Sequence, residues 1–236
     1  MSLETVPLRR TGLSVSEQAV GTVREFHSNG VRFPRDGVGT MTETDDETLE
    51  DVDRWMTEIR QMRADKDEFF TDHPQSPIDP DYRDAFEGLD YFEPDPEFRV
   101  PARVRVYGNP DPIELDVTAG SPIRYLRSVI FEFELRGERI QMAGYRQESD
   151  DDRTIFIPFR DKTTSQQTYH RGRYMEMEPD DDLVNGDVVT LDFNLAYNPF
   201  CAYAETFACP LPPEENWLEV VVPAGEKKPP EAIVDE

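Results

Sequence analysis

The chain is poor in lysine, cysteine and histidine, and it lacks any long apolar run. Of its 25 basic residues 21 are arginine, and it has only two cysteines and three histidines. No stretch approaches the ~18 apolar residues of a membrane span, and no charged start precedes an apolar segment as in a secretory signal. Two cysteines exclude a fold that depends on a disulfide framework, so we expect a cytoplasmic protein.

Acidic residues dominate what is present. Aspartate and glutamate number 50, and the net charge is -25. A lysine-poor, carboxylate-rich surface is typical of proteins from extreme halophiles, where multimolar salt screens charge over about 3 Å. The alternative is a mesophilic acidic protein. In both cases the charge argues against duplex nucleic acid and anionic membranes as partners, because both require a basic face.

The first 40 residues differ from the rest of the chain. The segment VPLRRTGLSVSEQAVGTVR, within residues 1–24, resembles the amino-terminal strand–turn–strand of aldo/keto reductases. Later residues supply neither the eight strand–helix units nor the catalytic tetrad of that family, so the resemblance implies no activity. We expect residues 1–40 to be a leader outside any domain, either a fusion scar or an overcalled start, with the natural chain beginning at Met41.

Residues 41–100 predict a helix followed by an irregular strap. Apolar residues recur at steps of three and four from Thr48 to about Asp72, and His73-Pro74 ends the pattern. This apolar stripe is either a partner-binding face or, as the stripe of most such helices, a face packed on the domain's own sheet. The following segment is rich in proline and aspartate and carries aromatic anchors.

Residues 101–228 predict about eight short strands without intervening helices. Alternating segments begin at Ala102 and include TIFIPF, GRYMEME, VVTLDFNLAY and WLEVVVPAG. Turns are expected at Arg136-Gly137 and Asn185-Gly186. The fold class is therefore mainly β, an antiparallel β-sandwich or barrel-like domain with one amino-terminal amphipathic helix and a proline-rich strap. Residues 229–236 are expected to form a flexible tail.

Polar and reactive residues are concentrated between Asp192 and Asn216. The strand pattern predicts that Leu191, Phe193 and Leu195 share one face and that Asp192 and Asn194 share the other. From Phe200 onward the sequence has no period, and a long loop built from Cys, Tyr, Asn and Pro is typical of an ordered functional segment. Cys201 and Cys209 allow three interpretations: structural thiols or a disulfide, a reactive thiol, or metal ligands.

A second concentration spans Pro158 to Glu178 and contains several arginines. Arginine amid such acidity binds a carboxylate or phosphate through its fork, or pairs with neighbouring carboxylates of the chain itself. Both interpretations stay open.

The two concentrations together resemble the family catalogued as domain of unknown function 1684. The resemblance runs from about residue 55 to 228 and is carried by PFRD, TYHRGRYMEME and LDFNLAYNPFCAYAETFACPLPPEENW, with DEFFTDHPQSPI upstream. The family has glycines where this chain has His170-Arg171-Gly172, which weakens a Cys–His catalytic pair. The resemblance supplies boundaries and a site, and it implies no activity.

These observations predict a soluble β module that binds a small anionic ligand or a protein partner through a pocket near residues 158–216. The alternative is a hydrolase or transferase that uses Asp192, Glu215 or Cys201. No metal or cofactor is expected. The predicted ligand-binding residues are Arg160, Asp161, Arg173, Tyr174, Asn194, Tyr197, Asn198 and Asn216.

Overall fold

The computed structural model describes residues 49–110, 112–147 and 153–230. The expected leader, the reductase-like segment and most of the expected tail lie outside these residues. The elements in chain order are helix α1 (Leu49–Asp72) and strands β1 (Arg99–Val106), β2 (Pro112–Leu115), β3 (Ile123–Leu135), β4 (Glu138–Gln147), β5 (Ile155–Phe159), β6 (Arg173–Met177) and β7 (Val188–Asp192).

The strands form one curled antiparallel sheet, a half-barrel, which confirms the predicted fold class. The strand order is β6-β5-β4-β3-β1-β7, and β2 pairs with β3 outside this path. The β3–β4 hairpin turns at Arg136 and Gly137, both of which have positive φ, as the sequence predicted. β4 and β5 pair at a single position, Tyr145 with Phe156, so the sheet opens between these two strands.

The main core lies on the inner face of the curled sheet. Alternate residues of β3 and β4, including Phe131 and Met142, point into it. The carboxy-terminal segment closes the core with Leu218, Val220 and Val222. The sequence predicted a strand at residues 217–225, and this prediction was wrong. The segment contributes only isolated bridges, because the Leu218 amide bonds to the Arg160 carbonyl and the Val222 amide bonds to the Asp161 side chain.

Helix α1 packs against the far side of the domain through an aromatic cluster. Trp55, Ile59 and Phe70 are its buried apolar residues. The Phe70 ring lies 4.9 Å from the ring of Tyr203, edge to face. These contacts favour the interpretation that the stripe of the helix packs on its own domain.

The last strand ends sooner than the sequence predicts. The β7 strand stops at Asp192, and residues Phe193–Leu195 form a 3-10 turn in which the Asp192 side chain accepts from the Asn194 amide. The predicted alternation of faces across Phe193 and Asn194 is therefore wrong, and both residues are buried. The Asp192 carboxylate, which was expected on the polar face of the strand, instead ends it.

Candidate functional site

Asn194 is used as a structural connector. Its Oδ1 accepts a hydrogen bond from the Asp95 amide at 2.9 Å, and its Nδ2 donates to the Asp95 carbonyl at 2.9 Å. Nδ2 also donates to Asp192 Oδ1 at 2.9 Å. These bonds tie the proline-rich strap to the end of β7. The Asn194 amide oxygen and both of its N–H groups are therefore already hydrogen-bonded within the protein.

Asn216 fills the opening between β4 and β5. Its Oδ1 accepts from the Ala143 amide at 2.7 Å, and its Nδ2 donates to the Ala143 carbonyl at 2.9 Å and the Pro158 carbonyl at 2.8 Å. The side chain thus replaces the ladder that the diverging strands cannot form. The residue is completely buried.

Arg173 and Asp161 form a buried ion pair, with 3.2 Å between Nη2 and Oδ1 and only 1% of either side chain exposed. The guanidinium also donates to the carbonyls of Val222, Ala224 and Glu226. The carboxylate accepts from the amides of Thr163 and Val222 at 3.0 and 2.7 Å. This pair holds the carboxy-terminal segment against β6, and burial lowers the pKa of Arg173.

A second buried network surrounds Glu226. Its carboxylate binds Lys66 of α1 and accepts from the Asn198 amide at 2.7 Å and from the Tyr203 hydroxyl at 3.1 Å. Asn198 Nδ2 donates to the Lys227 carbonyl at 2.7 Å. Among the described residues no group donates to Asn198 Oδ1, although this atom is buried. The network links the helix, the loop and the carboxy-terminal segment.

Tyr174 and Tyr197 pack edge to face with 5.9 Å between ring centroids. The Tyr174 hydroxyl donates to the Pro210 carbonyl, and the Tyr197 hydroxyl donates to Glu176 at 2.8 Å. Burial raises the pKa of both phenols well above the ordinary value. The two tyrosines therefore brace the loop from inside the protein.

The two candidate carboxylates lie in separate networks. Asp192 accepts from the Trp55 indole at 2.7 Å and lies 3.5 Å from Arg99. Glu215 accepts from Arg127 and from the Tyr145 hydroxyl, both at 2.6 Å. Burial raises the pKa of Asp192. The structure does not bring these acids to a common partner.

Both cysteines are free, buried and in contact. The Cys201 amide donates to Cys209 Sγ at 3.4 Å, and the Tyr169 hydroxyl lies 3.8 Å from Cys201 Sγ. A hydrogen bond with the Cys209 thiol lowers the pKa of Cys201, although burial opposes this, while that bond and burial raise the pKa of Cys209. The described residues contain no cluster of acids, histidines and cysteines suited to a metal ion.

Arg160 is the predicted anion-binding residue that retains an unpaired guanidinium. The group lies over the Trp217 ring at 4.9 Å, and its Nε donates to the Arg171 carbonyl at 3.4 Å. Within residues 49–110, 112–147 and 153–230, no carboxylate forms an ion pair with it. Partial burial lowers the pKa of Arg160. Asn194 contacts different residues, so it and Arg160 belong to separate networks.

Three basic residues, Arg160, Arg171 and Lys228, lie near His170. Burial lowers the pKa of His170, and the positive charges of Arg171, Arg160 and Lys228 lower it further. Its ring meets the Tyr169 ring edge to face, with 4.6 Å between centroids. The Lys228 amide donates to the Gln167 carbonyl at 3.0 Å. This bond brings the carboxy-terminal segment to the loop that contains Gln167 and His170. We call Arg160, His170, Arg171 and Lys228 the basic cluster. Sequence reasoning missed Lys228, because 57 residues separate it from Arg171 along the chain.

Gly172 allows the basic cluster to form. It has φ of +97°, and a Cβ there would lie 2.6 Å from the Phe159 carbonyl oxygen and 3.0 Å from Arg160 Cγ. Only glycine accepts this backbone conformation at such close approach. The turn therefore places Arg171 beside Arg160 at the end of β5.

Comparison with known proteins places the chain among uncharacterized relatives. An uncharacterized protein of Haloarcula marismortui, solved by solution NMR, is 53% identical, covers 76% of this chain and 97% of its own, and has a TM-score of 0.62. No match was found among curated proteins. None of the described helices has the length and apolarity that a membrane span requires. The family described as "Protein of unknown function (DUF1684)" matches residues 84–227, and the chain belongs to this family.

Proposed function

We propose that the protein binds a small anionic ligand at the basic cluster. One observation carries the proposal: four basic side chains lie together in a chain with a net charge of -25, and among the described residues none of them forms an ion pair. The two arginines and the lysine of the cluster are cations. Unpaired cations beside one another repel, so a fold with abundant carboxylates would normally intersperse them. An anionic ligand would relieve this repulsion.

Arg160 has the geometry of a recognition residue. Its Nε is held by the Arg171 carbonyl and its face is held by Trp217, which leaves the terminal nitrogens for a ligand. A planar guanidinium fork binds carboxylate or phosphate through two parallel hydrogen bonds. Trp217 is 47% exposed and offers apolar surface to the remainder of the ligand.

The other predicted site residues support this site indirectly in our proposal. We propose that these residues fix the segments that carry the basic cluster: Asp161, Arg173, Tyr174, Tyr197, Asn198 and Asn216. Asn194 instead ties the strap to the end of β7. We propose that residues 41–100 and 101–228 work as one binding unit. Two free thiols and the acidity support a cytoplasmic location in a salt-rich cell, without nucleic acid as a partner.

The enzyme alternative receives less support from the carboxylates. A general base must have an oxygen available to the proton that it removes. Asp192 accepts from Trp55 and Asn194, and Glu215 accepts from Arg127 and Tyr145. Both acids are therefore engaged in holding the fold.

Calorimetric titration with inorganic phosphate and with citrate tests the proposal, at a total ionic strength held constant with KCl. We expect Arg160→Gln and Arg171→Gln each to weaken binding at least tenfold, because a charge-assisted hydrogen bond contributes about 1.5–3 kcal/mol. Arg103→Gln removes the same charge from an exposed position on β1 and serves as the matched control. Equal affinities in all four proteins, or no binding of either anion, would refute the proposal.

A further inference from the structure

Hydrogen bonds from neighbouring residues hold both cysteines in defined positions. Cys201 lies on a 3-10 turn, Phe200–Ala202, and Cys209 lies eight residues later, where its amide is fixed by Thr118 Oγ1 at 3.0 Å. The Cys201 amide donates to Cys209 Sγ at 3.4 Å, so the two residues lie directly against each other. Between them, Glu205 and Thr206 are exposed to solvent. Two adjacent cysteines at the ends of a short loop with an exposed tip are positioned to form a disulfide after little movement.

The two sulfurs are not equivalent. The Tyr169 hydroxyl lies 3.8 Å from Cys201 Sγ. The neighbouring Cys209 thiol and the Tyr169 hydroxyl, together with the positive charge of Arg171, lower the pKa of Cys201. All of these groups stabilise a thiolate on Cys201. Cys201 is also the more exposed of the two, at 9% against 3%. The neighbouring Cys201 sulfur and burial raise the pKa of Cys209.

We propose that Cys201 and Cys209 form a redox-active dithiol that exchanges with low-molecular-weight organic disulfides, with Cys201 as the attacking sulfur and Cys209 as the resolving sulfur. The Cys201 thiolate attacks one sulfur of the disulfide, forms a mixed disulfide and expels the first thiolate, which takes up a proton. Cys209 then loses its proton and attacks Cys201 Sγ, which expels the second thiolate. Two protein thiols are oxidised, and one organic disulfide is reduced to two thiols.

The exchange does not depend on an anionic ligand at the basic cluster. Arg171 contributes to both sites, but the groups nearest Cys201 Sγ are the Tyr169 hydroxyl and the Cys209 thiol. Loss of phosphate binding would therefore leave the exchange in place. Loss of the exchange would equally leave phosphate binding in place, so the two proposals fail separately.

The test incubates the folded, reduced protein with glutathione disulfide or with cystamine in KCl and follows it by intact-mass spectrometry. We expect the wild type to lose two hydrogen atoms in mass, retain no adduct and release two equivalents of thiol. Cys209→Ser should stop at a stable adduct on Cys201. Cys201→Ser should react at least tenfold more slowly, because the remaining thiol lacks the stabilising donors. Circular dichroism verifies that each variant is folded.

Three results would overturn the proposal. They are a folded wild type that does not react, a wild type that accumulates adducts on both cysteines, and equal rates for Cys201→Ser and Cys209→Ser. If either variant does not fold, peptide mapping of the acid-quenched wild type decides the question. The first adduct must then lie on Cys201, and a first adduct on Cys209 refutes the assignment.

Discussion

Replacement of Arg173 by methionine tests whether the buried ion pair holds the half-barrel closed. The change leaves the Asp161 carboxylate buried without its cation and removes a donor from the carbonyls of Val222, Ala224 and Glu226. Breaking a buried pair on one side costs about 3–5 kcal/mol. The amides of Thr163 and Val222 still donate to Asp161, so we expect about 4 kcal/mol rather than more. This is a large part of a typical ~5–15 kcal/mol of stability.

Urea unfolding followed by tryptophan fluorescence measures the effect in concentrated KCl. With a slope of about 2 kcal/mol/M, the midpoint should fall by roughly 2 M. Arg139→Met is the matched control, because it removes the same charge from an exposed position on β4 and should stay within about 0.5 kcal/mol.

The double variant Arg173→Met, Asp161→Asn should recover part of the lost stability. It removes the unpaired buried charge of Asp161 but keeps a hydrogen-bond acceptor for the two amides. A loss below about 1 kcal/mol, or one equal to that of Arg139→Met, would show that the pair does not hold the segment.

Three further changes test the fold and the basic cluster. Asn216→Leu should cost about 3 kcal/mol in the same urea assay, since three hydrogen bonds to Ala143 and Pro158 are lost in the interior; a neutral result would mean that β4 and β5 do not need this side chain. Gly172→Ala should lower the melting temperature more than Gly120→Ala, because both have strongly positive φ but only the first meets neighbouring atoms, and equal losses would contradict the close approach. Sulfate, whose own charge is constant, should bind more tightly as pH falls below 6.5. The pKa of His170 is lowered, so its imidazole becomes positively charged only in that range. His170→Gln should abolish this pH dependence, and an unchanged profile would exclude His170 from the site.

The sequence predicted the elements whose contacts are local. The spacing of apolar residues located α1, and Arg136-Gly137 located the β3–β4 turn, because both depend on neighbours a few residues away. The same kind of pattern predicted a strand after Trp217, and this prediction was wrong. Leu218, Val220 and Val222 alternate with exposed residues, yet alternation reports one buried face and carries no information on which groups accept the backbone hydrogen bonds.

The basic cluster could be predicted only in part. Arg160 and Arg173 have the same residue type and similar surroundings in the sequence, yet Arg173 is buried by carbonyls about 50 residues further along the chain. Nothing local distinguishes the two arginines. Lys228 joins the basic cluster only because the final segment returns to the loop that contains Gln167. Such convergence is a property of the tertiary fold rather than of a motif.

The attachment of helix α1 has a consequence for how quickly the chain reaches its native state. The helix is tied down by Trp55 with Asp192, 137 residues apart, and by Lys66 with Glu226, 160 residues apart. Residues this far apart in sequence can form a contact only after a very long loop has closed. The entropic cost of that closure must be met before the contact stabilises the chain. We expect the helix to dock late, after the hairpins have assembled, and the overall rate to lie in the millisecond-to-second range typical of topologies dominated by distant partners.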